Sequence, residues 1–208
     1  DSLVSGDELI SNGSFENFVV SRDNGSWKLV DFTGWQGNGE AWNGGIGRAA
    51  TDGTYKIELD VGGELNTLSQ SVGTTAGQKY RFSLDAYARR GGTSDFQVLV
   101  DGQVIATISP DSNWNRFDAY FTGSGGTQTV SIKELDAQSN GLGTIIDNVS
   151  LMASNELLNN GSLEDFTISQ NNGRWKLVEF TGWQGSGEVW TNRLGGRSTN
   201  GAHKAELD

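Results

Sequence analysis

An antiparallel β-sandwich is the fold this 208-residue chain predicts, on three observations. Thirty Gly against one Pro, among many Thr, Val, Ser and aromatic residues, favour short strands joined by turns over helices. Between residues 61 and 153, apolar and polar residues alternate with period two through one segment after another. Turn signals such as TTAGQ at 74–78 and GSGG at 123–126 separate those segments at sandwich-like spacing.

Each element has its own reason. At 27–32 and 55–60, aromatic-rich strands are expected on either side of a Gly-rich loop from 37 to 53. At 79–88, Tyr80, Phe82, Leu84 and Ala86 point one way, and Arg81, Ser83, Asp85 and Tyr87 the other. Residues 95–101 alternate likewise, with Phe96, Val98 and Val100 inward and Gln97 outward. Asp101-Gly102 then turns the chain into a strand at 104–108, a hairpin signal. At 116–122, Phe117, Ala119 and Phe121 go inside, and strands at 129–134 and 144–151 complete the unit.

The beginning of the unit occurs twice. Residues 7–60 return without a gap as 155–208, with 30 identities in 54 positions at a constant offset of 148. A repeat of that period is one domain long. The expected organisation is a complete module at 1–153 and the first third of a second, truncated copy at 154–208, a piece of a longer tandem array. Only one copy can complete the sandwich with residues 61–153. The N-terminal copy is expected to take that place, leaving 154–208 loosely folded alone. Within the repeat the Gly-rich loop changes most, NGGIGRAATD at 43–52 becoming TNRLGGRSTN at 191–200, while its framework stays. Variable loops on a constant scaffold are where recognition sits.

Net charge of −11 and a pI near 4.5 argue against nucleic acid, since no basic stripe could displace phosphate counterions. No stretch approaches the roughly 20 apolar residues of a spanning helix. Without Cys there is no disulfide scaffold and no thiolate metal site. An acidic, cysteine-free, repetitive chain suits a secreted or cell-surface bacterial protein.

Catalytic signatures are missing. HExxH, GxSxG, a P-loop and a Rossmann glycine pattern are all absent, and the one His, His203, stands where the first copy has Tyr55. No spacing of carboxylates stands out as a glycosidase pair. The chain itself is expected not to be an enzyme.

Sugar recognition by a β-sandwich uses aromatic faces with polar side chains fixing the hydroxyls. Trp27, Trp35, Trp42, Tyr55, Tyr87, Trp114 and Tyr120 are the candidate platforms. Trp35 and Trp114 read as structural. Trp42 borders the variable loop and Tyr87 faces outward from its strand, so these two lead. Around Tyr87 the outward set includes Asp85, Arg89 and Gln97, and Arg89 is the natural partner for a uronate or sulfate, with Arg48 and Arg90 behind it. A solvated sheet face would look much the same. Asp147 alternates in phase with Ile145, Val149 and Leu151, which places its carboxylate on the buried face. There it must be paired, protonated, bonded to turn amides or bound to a metal.

NGSFE at 12–16, TGW at 33–35, AGQKYRFSLDAYAR at 76–89 and GLGTIIDNVSL at 141–151 occur in a recognisable order. Together they resemble galactose-binding-like jelly-roll modules related to carbohydrate-binding families four, nine and twenty-two. The version repeated in large calcium-dependent bacterial secreted proteins and adhesins is the more similar. The resemblance spans residues 8–152. It implies a two-sheet jelly roll, a glycan ligand and a structural Ca²⁺ near where the chain ends meet. Glu16 and Asp147 match its usual ligands, with Asp52 and the Tyr55 carbonyl beside them. A non-catalytic, Ca²⁺-stabilised carbohydrate-binding module is therefore expected. The alternative is a spacer repeat of an adhesin with no glycan ligand, and burial of Trp42 and Tyr87 would favour it.

Overall fold

The computed structural model describes residues 7–61, 64–89, 95–135, 142–154, 166–171, 175–180, 186–190 and 204–206. The chain divides into two compact units, Asp1–Ser154 and Asn155–Asp208. No helix occurs among the described residues.

In the first unit, β1 (Phe18–Asp23), β2 (Trp27–Phe32), β3 (Asn38–Trp42) and β4 (Lys56–Glu58) form a meander. β5 (Asp60–Val61) and β6 (Glu64–Leu65) pair by themselves. Seven more follow: β7 (Thr67–Thr74), β8 (Lys79–Ala88), β9 (Phe96–Val100), β10 (Gln103–Ile108), β11 (Asn115–Thr122), β12 (Gly126–Glu134) and β13 (Thr144–Ala153). One sheet has the order β1-β2-β3-β4-β13-β8-β11 and the other β10-β9-β12-β7, with antiparallel neighbours throughout. The fold is an all-β antiparallel jelly-roll sandwich.

Between the sheets, Phe82, Leu84, Ile57, Ile146 and Leu151 of the larger pack in one buried cluster with Leu68, Phe96, Val98, Val130 and Ile132 of the smaller. Burial of this apolar surface is the main favourable term for the fold. Phe15 caps the cluster, edge-on to Phe32 at 5.2 Å and 5.3 Å from Trp35. The NGSFE turn is held by Asn12, whose amide nitrogen donates to the Asn17 and Thr33 carbonyls at 2.8 and 3.0 Å. Asp101 and Gly102 both take positive φ, 50° and 78°, as a two-residue hairpin of that sequence requires.

The N-terminal copy takes the place beside β13, where Ile145 opposes Glu58 and Ile146 opposes Ile57. Four strands differ from expectation. β1, β3, β6 and β7 are not apparent from alternation: β1 is a solvent-facing edge, β3 begins Asn-Gly-Glu, β6 is two residues long, and β7 turns Gln70 and Thr74 inward. The phase of β13 also breaks. Its register with β8 shifts between Asp147 and Ser150, and Asn148 has a φ of 52°. Ile146, Val149 and Leu151 join the main core, while Ile145 belongs to a second cluster. Asp147 is buried as expected, but on the opposite face of the sheet from Val149 and Leu151.

In the second unit, β14 (Phe166–Asn171), β15 (Trp175–Phe180), β16 (Ser186–Trp190) and β17 (Lys204–Glu206) repeat the meander. Phe166 opposes Phe180 as Phe18 opposes Phe32, and the register shift after Ile168 repeats the one after Val20. Val178, Phe180 and Val189 form its small cluster, with Phe166 against them.

Candidate functional site: the strapped face of the seven-stranded sheet

Residues that alternate with the core line the outer face of the larger sheet. Glu40, Glu58, Ile145 and Tyr87 follow one another across β3, β4, β13 and β8. One step along, Trp42 opposes Lys56, Asp147 opposes Asp85, and Asp85 opposes Arg116. Trp42, Ile46, Tyr87 and Ile145 form the second buried cluster, with Trp27 and Trp114 packed against it.

What buries them is the Gly-rich loop, residues 43–55, which lies across this face as a strap. The Tyr87 hydroxyl donates to the Ile46 carbonyl at 2.5 Å, and Trp114 Nε1 to the Ala49 carbonyl at 2.9 Å. Arg48 donates to the Ser112 carbonyl and to Asn113 Oδ1. Lys56 Nζ donates to the Arg48 carbonyl at 2.5 Å. At the far end, Asp147 Oδ2 accepts from the Thr51 and Asp52 amides at 2.7 and 3.0 Å and from the Thr51 hydroxyl at 3.2 Å. Glu16 Oε1 accepts from the Thr54 and Tyr55 amides, both at 2.7 Å. Gly53 is required there: its φ is 75°, and a Cβ would stand 2.5 Å from Glu16 Oε1.

This arrangement corrects the exposure expected of the leading aromatics. Trp42 is 7% and Tyr87 3% exposed. Alternation says which face a side chain takes, not whether a distant loop will cover that face. Gln97 does not join them: it lies on β9 in the smaller sheet, with Thr107 Oγ1 3.4 Å from its Nε2. Asp85 and Arg89 do belong to this face. Asp85 accepts from Arg116 Nη1 at 3.2 Å and from Asn148 Nδ2 at 3.0 Å. Arg89 Nη1 donates to both oxygens of Glu58, at 2.8 and 2.7 Å, and its Cζ stands 5.3 Å from the centre of the Trp42 ring. Trp35 is in the main core, and Tyr120 is 43% exposed on β11. Arg90, His203, and Glu164 and Asn200, which stand in the second copy where the first has Glu16 and Asp52, lie outside the described residues.

Of Glu16, Asp52, Tyr55 and Asp147, the positions implied for calcium, the Glu16 and Asp147 carboxylates anchor the strap at two successive points of the loop. Asp52 and Tyr55 contribute amide donors, and the Asp52 side chain is exposed. Both carboxylates are engaged by N–H or O–H donors, and Asn148 N adds another to Asp147 Oδ1 at 2.7 Å. Among the described residues no group of three or more His, Cys, Asp or Glu side chains is poised to hold a metal. Calcium prefers six to eight oxygen ligands, so this donor set does not fit it as arranged.

Alternation foresaw the burial of Asp147 but not that of the charged residues beside it: Glu58 and Asp147 are fully buried, Lys56 is 1% and Glu40 8% exposed. Burial pushes the Glu58 carboxyl up to about 7, against the lowering by Arg89, and the Glu40 charge adds to the rise. Burial likewise pushes Asp147 up to about 6, against the amides it accepts from. The Lys56 amine is lowered by burial, with the Asp147 charge working the other way. One signal was available: Glu40, Trp42, Lys56 and Glu58 all recur in the second copy, as Glu188, Trp190, Lys204 and Glu206.

No family model matches the chain. Over 159 residues it is 29% identical to halomucin of Haloquadratum walsbyi, covering 71% of this chain but only 2% of that protein's length. Among solved structures, an apo-form cyclase from Fischerella sp. is similar, with a TM-score of 0.54 and 16% identity, covering 72% of this chain and 97% of the cyclase. The CBM22-1 xylan-binding domain of Paenibacillus barcinonensis Xyn10C is also similar, with a TM-score of 0.47 and 15% identity over 73% of this chain and 97% of that domain. A likeness at such identity concerns the fold, and fold does not fix function.

Proposed function

We propose that residues 7–154 form a non-catalytic carbohydrate-binding module of a secreted or cell-surface protein that carries the unit in tandem. The observation that carries this reading is the composition of one face. Partly buried Trp27 and Trp114 stand with Glu40, Glu58, Asp85 and Arg89 on the outer side of the larger sheet. Aromatic faces beside hydrogen-bonding side chains are what a pyranose requires. The absence of catalytic motifs and the pairing of Glu58 with Arg89 speak for binding over catalysis. Similarity to a small part of halomucin suits a repeated unit of a much longer protein. Tandem copies would then raise avidity without new contacts.

The burial of Trp42 and Tyr87 favours a second reading, a spacer whose strapped face is only packing. A glycan array probed with the full chain, with Trp27→Ala alongside, separates the two. Binding that weakens in the variant supports the module. Silence from a folded chain supports the spacer.

A further inference from the structure

We infer that Asn43, in the strap, is a site of spontaneous covalent modification, its side-chain amide closing onto the Gly44 nitrogen to yield aspartate and isoaspartate. The reaction needs no ligand, so it is open to module and spacer alike. The Gly44 amide gives up its proton to hydroxide and its nitrogen attacks Asn43 Cγ. The bond from Cγ to the side-chain nitrogen breaks, ammonia leaves, and a cyclic imide remains. Water then opens the imide, at the former side-chain carbonyl to give aspartate or at the main-chain carbonyl to give isoaspartate. Glycine favours the attack because no Cβ hinders the approach of its nitrogen.

Eight Asn-Gly pairs occur in the sequence, four of them, at Asn12, Asn24, Asn38 and Asn43, among the described residues. The fold restrains three. Asn12 donates to the Asn17 and Thr33 carbonyls and accepts from the Asn17 amide, while Gly13 is pressed against the Val149 carbonyl. Gly25, after Asn24, donates the very hydrogen that must leave to Asp23 Oδ1 at 2.8 Å. Asn38 lies in β3 with its Oδ1 held by Asn66 Nδ2 at 3.0 Å, and Gly39 is buried against Phe32. Asn43 differs on every count. It is exposed, and among the described residues neither its side chain nor the Gly44 amide has a hydrogen-bond partner. A Cβ at Gly44 would have no neighbour within 4 Å. The second copy has Thr191-Asn192 at this place, so it lacks the pair there. Either product adds a carboxylate to the strap next to Trp42. Isoaspartate also lengthens the main chain between Trp42 and Ile46, whose carbonyl the Tyr87 hydroxyl holds.

The test holds the full chain at pH 8, folded and in urea, and follows the four pairs by peptide mapping with fragmentation. In the folded chain Asn43 should convert at least roughly tenfold faster than Asn12, Asn24 and Asn38. In urea the four rates should converge to within about threefold, because the restraints are gone. Gly44→Ala, which has room for its Cβ, should keep the fold and slow conversion at Asn43 by about tenfold. A folded chain in which any of the other three converts as fast as Asn43 would overturn the inference. So would rapid conversion at Asn43 that persists in Gly44→Ala.

Discussion

Tyr87 and Ile46, 41 residues apart in sequence, are joined by a hydroxyl-to-carbonyl hydrogen bond of 2.5 Å that closes the Gly-rich strap onto the larger sheet. Gly47 next to it has a φ of 73°, and a Cβ there would stand 3.2 Å from the Tyr87 oxygen. The contact turns what reads as an outward tyrosine into the floor of a second core. It also makes the strap the element whose stability can be read separately from that of the sandwich.

Tyr87→Phe should loosen the strap while sparing the sandwich. The variant leaves the Ile46 carbonyl without this donor, at a cost of about 1–2 kcal/mol. Hydrogen exchange is expected to quicken across 46–52 and to stay slow in β8 and β12. Quickening throughout would show that strap and sandwich open together.

Removing Arg89 should be more damaging than its position at a strand end suggests. Arg89→Ala leaves Glu58, fully buried, beside Glu40, so stability should fall by roughly 2–4 kcal/mol in urea. Glu58→Gln in the same background should recover part of the loss, because the buried charge is then gone. A double variant no better than Arg89→Ala would contradict the charge argument.

Glu58 and Asp147 both have folded pKa values above their ordinary ones, about 7 and about 6. Such a carboxyl takes up its proton in the folded state first. Its contribution therefore favours folding at low pH and is lost as pH rises through the folded pKa. Between pH 8 and pH 5 the melting temperature of the natural chain should rise relative to that of Glu58→Gln by roughly 3–6 °C. Parallel profiles would mean that Glu58 is not held in an elevated state.

Calcium provides a further check on the strap anchor. With Asp147 and Glu16 engaged by amide donors, adding millimolar Ca²⁺ or chelator should leave the melting temperature unchanged within about 1 °C, while Asp147→Ala should lower it by roughly 2–6 °C. A rise of several degrees with Ca²⁺, absent in Asp147→Ala, would show that these carboxylates turn to bind the ion.

The sandwich was legible because its strands obey the period-two rule where both neighbours are strands. Phe82 and Leu84 on β8, and Val98 and Val100 on β9, face the core as alternation requires. The hairpin at Asp101-Gly102 was legible for a local steric reason. The covered outer face was not. Asp147 changes face relative to Leu151 because of a register shift that alternation does not encode, and Tyr87 is buried by residues 41 positions away. Gln97 shares an outward sense with Tyr87 but not a sheet, since outwardness has two sides in a sandwich. Nothing in the local sequence marks Glu58 for burial, where Arg89, just past β8, and Gly143, just before β13, meet its carboxylate.

The most direct test of carbohydrate binding is a glycan array probed with the full chain, its fold checked by circular dichroism, against neutral, uronate-rich and sulfated polysaccharides. Binding to at least one of these polysaccharides, weakened in Trp27→Ala, is the result expected. A folded chain that binds none of them would contradict the module and leave a spacer repeat.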